Sequence, residues 1–210
     1  ISNSLAKKAI GARVDGKLVD MTYVVEKDAK VELVTPETED GVEIIRHSTA
    51  HLMAQAVIRL FLGTKVSIGP SIDKGFYYDF DPLNQFSEED LIKIENEMKN
   101  IAKEDIKIVR HEITREDAIE KFKAMGENYK VEIIESIPVG EVLSLYEQGE
   151  FIDLCRGPHV PSTRYLKAFK LTKVAGAYWR GDSKNKMLQR IYGYAFAEER
   201  ELKEYLVQLE

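Results

Sequence analysis

Glu43 to Leu62 reads EIIRHSTAHLMAQAVIRLFL, and the spacing of its apolar residues decides the local fold. Ile44, Ile45, Leu52, Ala56 and Leu60 fall on one stripe of a 3.6-residue helix, so the stretch predicts an amphipathic helix ended by Gly63. His47 and His51 are four residues apart and share one face of it. A second stretch lies more than a hundred residues downstream: Asp153-Leu154-Cys155-Arg156-Gly157-Pro158-His159. The chain has four histidines and one cysteine, and these two motifs hold three of the former and the sole example of the latter. If the fold brings them together, one pocket holds three imidazoles, a thiol and a carboxylate.

Such a pocket has two chemistries open to it. Zinc takes nitrogen and sulfur ligands in tetrahedral sets, and His47, His51, Cys155 and His159 would complete a closed site, which is the structural kind. Without metal, an imidazole of pKa ~6.5 accepts or donates a proton near neutrality. Asp153 stands two residues before Cys155, so on a strand the two side chains share a face, and the carboxylate could orient a histidine or a water. Gly157-Pro158 predicts a tight turn that carries His159 back toward the pocket. Lys130 falls in a run expected as a strand, Tyr129 to Ile134, where a lysine is mostly a solvated residue; its local sequence gives it no role.

Working outward, Ser4 to Ile10 predicts a short helix stopped by Gly11, and Asp15-Gly16 a hairpin between two short strands. A further strand, Val31 to Thr35, closes a segment too small to bury a core alone, and residues 36–41 read as a polar linker. Beyond the long helix come a hairpin from Val66 to Phe80 turning at Asp73-Lys74-Gly75, a helix capped by Ser87, a strand from Ile106 to Ile113, and a helix from Arg115 to Met125 capped by Thr114. Strands are expected from there to Phe196, then a charged helix from Glu198 to Glu210. Regular βαβ alternation is absent, so the fold class is α+β: an antiparallel sheet with packed helices.

Length and composition set bounds. With 210 residues, 44% hydrophobic and 31% charged, the chain suits one large domain, or one domain plus a small appendage. No apolar run approaches the ~20 residues of a membrane span, and the single cysteine fits a reducing, cytoplasmic setting. The net charge of -6 is unevenly spread. From Arg156 to Arg190 there are nine Lys or Arg against one acid, Asp182, a local +8 that leaves -14 elsewhere. Phosphate responds to local basic surface rather than to the total, and Tyr165, Phe169, Tyr178, Trp179 and Tyr192 interleave with these charges, so nucleic-acid contact is expected here.

Four passages together resemble one family: Arg46 to His51, Ile68 to Asp79, Asp153 to His159, and Ala175 to Asp182 running on through Met187 to Gly193. In this order they are similar to bacterial-type threonyl-tRNA synthetases, over nearly the whole chain. The resemblance implies that residues 1–35 are part of a ubiquitin-like, β-grasp (TGS) domain, 36–41 a linker, 42–197 a tRNA editing domain, and 198–210 the start of a helix leading to an aminoacylation domain. It implies hydrolysis of serine mischarged onto threonine tRNA. One methyl group separates serine from threonine, a difference worth only ~1–3 kcal/mol in binding, so a second pocket must remove the errors.

Carried over by position, the resemblance gives His47, His51, Lys130 and Asp153 catalytic roles and makes Tyr78, Cys155 and His159 substrate-binding. His47 and Lys130 would hold or activate water, with the lysine suited to a developing oxyanion. Lys167, Lys170, Lys173, Arg180, Lys184 and Lys186 would meet the tRNA. It implies no metal requirement in this fragment, with zinc on His47, His51, Cys155 and His159 as the alternative. The whole enzyme would use ATP, magnesium and zinc and pair as a homodimer, the fragment being a monomer. The rivals are a zinc-dependent deacylase of the alanyl type and a non-catalytic zinc module that binds RNA.

Overall fold

The computed structural model describes residues 2–210. It begins with helix α1 (Asn3–Lys8), capped by Ser2, and a three-stranded antiparallel sheet in the order β2-β1-β3. Strands β1 (Gly11–Val14) and β2 (Lys17–Val19) are joined through Asp15 and Gly16, both at positive φ (49° and 82°), the pairing that a tight primed turn requires. Strand β3 (Val31–Val34) pairs with β1 on its other side.

The long helix forms as expected but starts earlier. Helix α2 runs Glu39–Leu60, so residues 36–41, read as a linker, hold its cap and first turn. Thr38 Oγ1 accepts from Gly41 N at 3.0 Å, and Glu39 and Asp40 sit where the helix dipole favours acids. Leu60 does not keep its place on the apolar stripe: it is exposed, and Phe61 packs edge-on against Phe86 in its stead.

A five-stranded antiparallel sheet backs this helix, in the order β10-β11-β6-β4 with the short β5 also paired to β6. Its strands are β4 (Lys65–Val66), β5 (Ser71–Ile72), β6 (Gly75–Asp81), β10 (Ala168–Tyr178) and β11 (Met187–Phe196). Helix α3 (Glu88–Lys103) carries a full capping box between Ser87 and Asp90 and buries Ile94, Met98 and Ile101 in the same core. That core is centred on Leu52, Met53, Ala56 and Val57 of α2 against Phe76, Tyr78, Phe80 and Ile191 of the sheet.

A second layer stands beside it. Strands β7 (Ile108–Ile113), β8 (Leu143–Gln148) and β9 (Phe151–Leu154) form an antiparallel sheet covered by α4 (Arg115–Ala124) and α5 (Asn128–Ser136). Ala118, Phe122, Val131, Ile134, Leu143 and Leu145 make its separate small core. Here the expected strand Tyr129 to Ile134 is overturned, since Lys130 lies on α5. Its β-branched run suggested a strand, yet Val131 and Ile134 are three apart and together face α4, so tertiary burial decided the conformation. The chain closes with α6 (Glu199–Gln208), which has a capping box from Glu198 to Glu201. No helix among the described residues is long and apolar enough to cross a membrane.

Candidate active site

The two motifs converge. His47 and His51 project from the middle of α2, while β9 delivers Asp153 and then releases the chain into the loop that holds Cys155, Gly157 and His159. Ligand atoms of His47, His51, Cys155 and His159 all lie within 4.8 Å of one another. Cys155 Sγ is 3.3 Å from His47 Nε2 and 3.2 Å from His159 Nε2, and it also accepts from Gly157 N at 3.3 Å. His51, His159 and Asp153 are buried, and His47 and Cys155 are half-buried. A hollow of about 220 Å³ lined by Leu18, Glu43, Ile44, His47, Gly157 and Pro158 opens beside His47.

A polar chain continues inward from the imidazoles. His51 Nε2 is 3.3 Å from Asp153 Oδ2, which also accepts from Tyr78 Oη at 2.7 Å. Lys130 reaches in from α5, donating to the Ser67 carbonyl and, at 3.1 Å, to Tyr78 Oη. Its ammonium lies 2.5 Å from Asp153 Oδ1, although that oxygen receives no well-directed hydrogen bond. Lys130 is fully buried, so its charge is held by partners rather than water. The Ser67 hydroxyl is also buried without a partner.

Electrostatics follow from burial. Desolvation pulls His47 down to about 4 and His51 to about 3, with the Asp153 carboxylate opposing in both cases. Burial, reinforced by the two neighbouring imidazoles, carries His159 well below the ordinary histidine value. The same desolvation pushes the Cys155 thiol up to about 12 and the Tyr78 phenol well above its usual range. At neutral pH the pocket therefore offers three neutral imidazoles, a thiol and a phenol.

Hydroxyl and thiol link the imidazoles. Val160 N donates to Ser48 Oγ at 3.1 Å, and the same hydroxyl lies 3.0 Å from His159 Nδ1. With the Ser48 hydroxyl donating to Nδ1, His159 carries its proton on Nε2 toward Cys155 Sγ, and the thiol proton is free for His47 Nε2. The neutral His51 ring stands with Nε2 3.3 Å from the Asp153 carboxylate.

All seven residues expected in the pocket are brought together. Sequence reading missed Ser48 and Ser67, and also Asp20 and Tyr146, whose side chains bond to each other beside His159, with Asp20 accepting from His159 N. Ser48 lies inside the His47–His51 motif and signalled only as one more polar residue. The six basic residues expected at tRNA scatter over β10 and its surroundings. Lys170 pairs with Glu95, Lys186 with Asp81, and Arg180 donates to the Glu132 carbonyl while stacking on Trp179. Lys167, Lys173 and Lys184 have no salt bridge among the described residues, and Lys173 lies over the Tyr192 ring.

Comparison with known proteins shows what the chain is similar to. Residues 143–192 match the family described as threonyl and alanyl tRNA synthetase second additional domain, and residues 1–35 match the TGS domain. A threonine–tRNA ligase of Fusobacterium nucleatum is 63% identical over the whole chain, which covers 34% of that relative. One from Legionella pneumophila (strain Corby) is 59% identical, again over the whole chain and 33% of the relative. The chain is homologous throughout to the amino-terminal region of threonine–tRNA ligases. It spans about a third of the length of the curated relatives it matches. The ubiquitin-like TGS match covers the α1–β3 unit, and the second additional domain match runs from β8 into β11, including Asp153, Cys155 and His159 but not α2.

Proposed function

We propose that the pocket hydrolyses the ester joining serine to the 3′ end of threonine tRNA, and spares the threonine ester. The observation that carries this is the meeting of three neutral imidazoles with a buried Lys130–Asp153 pair, in a chain homologous to threonine–tRNA ligases. Water enters at the hollow beside His47 and displaces the thiol from Nε2. As the water oxygen bonds to the ester carbonyl carbon, its proton passes to His47 Nε2. The carbonyl electron pair becomes an oxyanion beside the Lys130 ammonium. The carbon–oxygen bond to the ribose then breaks, and the departing oxygen takes the proton back from His47. Serine leaves as the free amino acid. The Asp153 carboxylate takes the α-ammonium, while Tyr78, His51, Cys155 and His159 form walls that leave no room for the extra methyl of threonine.

We place residues 42–197 as the editing module. The acceptor end of the tRNA runs along the basic surface, where Lys167, Lys173 and Lys184 meet phosphates more readily than the paired Lys170, Lys186 and Arg180. In the parent protein we place ATP-dependent joining of threonine to its tRNA, with magnesium, zinc and homodimer formation, outside these residues; the setting is the cytoplasm.

A second reading has its own observation: four donors of the zinc-binding type within 4.8 Å. They fit a tetrahedral ion, and bound zinc would fill all four positions, clamping α2 to the Cys155–His159 loop and leaving no open place for water. That site would be structural, as in an RNA-binding module, or would open in an alanyl-type deacylase.

The test uses the purified chain with threonine tRNA charged with either amino acid. Serine release should exceed threonine release by about tenfold or more, and His47→Ala should slow it by about a hundredfold with the circular dichroism unchanged. Equal rates for the two esters would overturn the sieve. Stoichiometric zinc, with activity abolished by chelation, would transfer the reaction to the metal reading.

A further inference from the structure

Asp20 belongs to the TGS segment, just past β2 and outside the editing module, yet its carboxylate is built into the pocket wall. Oδ1 accepts from the backbone N–H of His159 at 2.9 Å, and Oδ2 accepts from Tyr146 Oη at 2.5 Å. The Tyr146 ring in turn meets the His159 ring edge-to-face, with centroids 4.4 Å apart. Between them lies Gly157 at φ +70°, where a Cβ would stand only 1.8 Å from Tyr146 Oη. The loop carrying Cys155 and His159 is thus gripped from one side by β8, through Tyr146, and from the other by the TGS segment. Leu18, two residues earlier, lines the entrance hollow.

We propose that Asp20 is a positioning residue for the hydrolytic pocket, so that the TGS segment completes a site whose other residues lie in the editing module. Resting on the function proposed above, it names a further residue that sets the geometry. The carboxylate touches no reacting atom. It acts by holding the His159 main chain, which fixes the ring that bonds Cys155 Sγ through Nε2 and Ser48 through Nδ1. Losing that anchor lets the loop drift, and a shift of about 1 Å in a catalytic group costs roughly a hundredfold in rate.

The experiment compares Asp20→Ala, Asp20→Asn and Tyr146→Phe in the full 210-residue chain. Two readouts are taken: seryl-ester hydrolysis, and the amide and ring ¹⁵N resonances of His159. Asp20→Ala should lower kcat about ten- to a hundredfold with KM little changed, and should move the His159 amide and ring signals. Asp20→Asn keeps an acceptor for His159 N and should recover most of the rate and the wild-type amide position. Tyr146→Phe should fall between them and be non-additive with Asp20→Ala. The proposal is overturned if Asp20→Ala leaves the His159 signals in place, or if Asn and Ala are equally impaired and equally lowered in melting temperature. The resonances decide it even where the wild type proves inactive on seryl-tRNA, which would sink the proposed reaction instead.

Discussion

Lys130 concentrates the chemistry of this molecule at the scale of one residue. A buried ammonium is tolerable only because Ser67, Tyr78 and Asp153 surround it. Removing one member of such a pair strands the other charge, so Lys130→Met should lower unfolding free energy by about 3–5 kcal/mol in urea titration. Adding Asp153→Asn should restore part of that loss, since the orphaned carboxylate is gone. A double variant as unstable as the sum of the singles would show that the pair is not coupled. The residue's importance was readable only through family resemblance. Its local sequence, Tyr-Lys-Val-Glu-Ile-Ile, resembles an ordinary strand with one solvated lysine. His47, His51, Cys155 and His159 were legible because rare residue types at helical and turn spacing carry their own signal. Asp20, Ser48 and Tyr146 were not, because their partners lie 139, 111 and 126 residues away and nothing local marks them.

Among the elements, α2 was the most legible and α5 the least, for related reasons. Helix α2 is long enough for its apolar stripe to repeat several times, whereas nine residues of α5 give two turns and no side-chain cap. The beginning of α2 shows how a long-range contact outweighs propensity. Alanine would ordinarily favour a helix over glycine by about 1 kcal/mol. At Gly41, however, an added Cβ would lie 1.9 Å from the Thr35 carbonyl oxygen, which is backbone and cannot swing aside. Gly41→Ala should therefore destabilise, by about 2 kcal/mol or more, and lower the melting temperature. An increase would mean that the chain entering the helix repacks freely. The same tightness shows how closely residues 36–41 are held: Thr38 N donates to the Thr35 carbonyl, Thr38 caps the helix that bears the histidines, and Glu39 to Gly41 already belong to its first turn.

For the whole molecule, the buried imidazoles set a pH limit. In metal-free protein, His51 (about 3) and His159 (well below the usual value) stay neutral while folded, whereas the unfolded chain takes up a proton at each near pH 6.5. Because both pKa values are depressed on folding, their stabilising share is present above pH 6.5 and is lost progressively as pH falls below it. Between about pH 6 and 5 these two should contribute a slope approaching about 2.7 kcal/mol per pH unit, two protons' worth, and His47, held at about 4, adds close to a third proton. Urea unfolding at a series of pH values measures it directly. A flat profile in that range would mean that the imidazoles are charged or solvated in the native state. The fold class and most of the order of elements, α5 excepted, were legible at this scale from periodicity and turn residues, while the division into separate cores was not. Periodicity reports which face of an element is buried but not which neighbour covers it.

That division has a consequence for how the protein works. The proposed proton acceptor sits on a helix of the larger core, and the proposed oxyanion partner on a helix of the smaller one, with Asp153 strung between. Neither half holds the proposed reaction alone, so the machinery is a seam rather than a cup. A small slip between the halves, far short of unfolding either, would pull base and counter-charge apart and leave an intact but silent molecule.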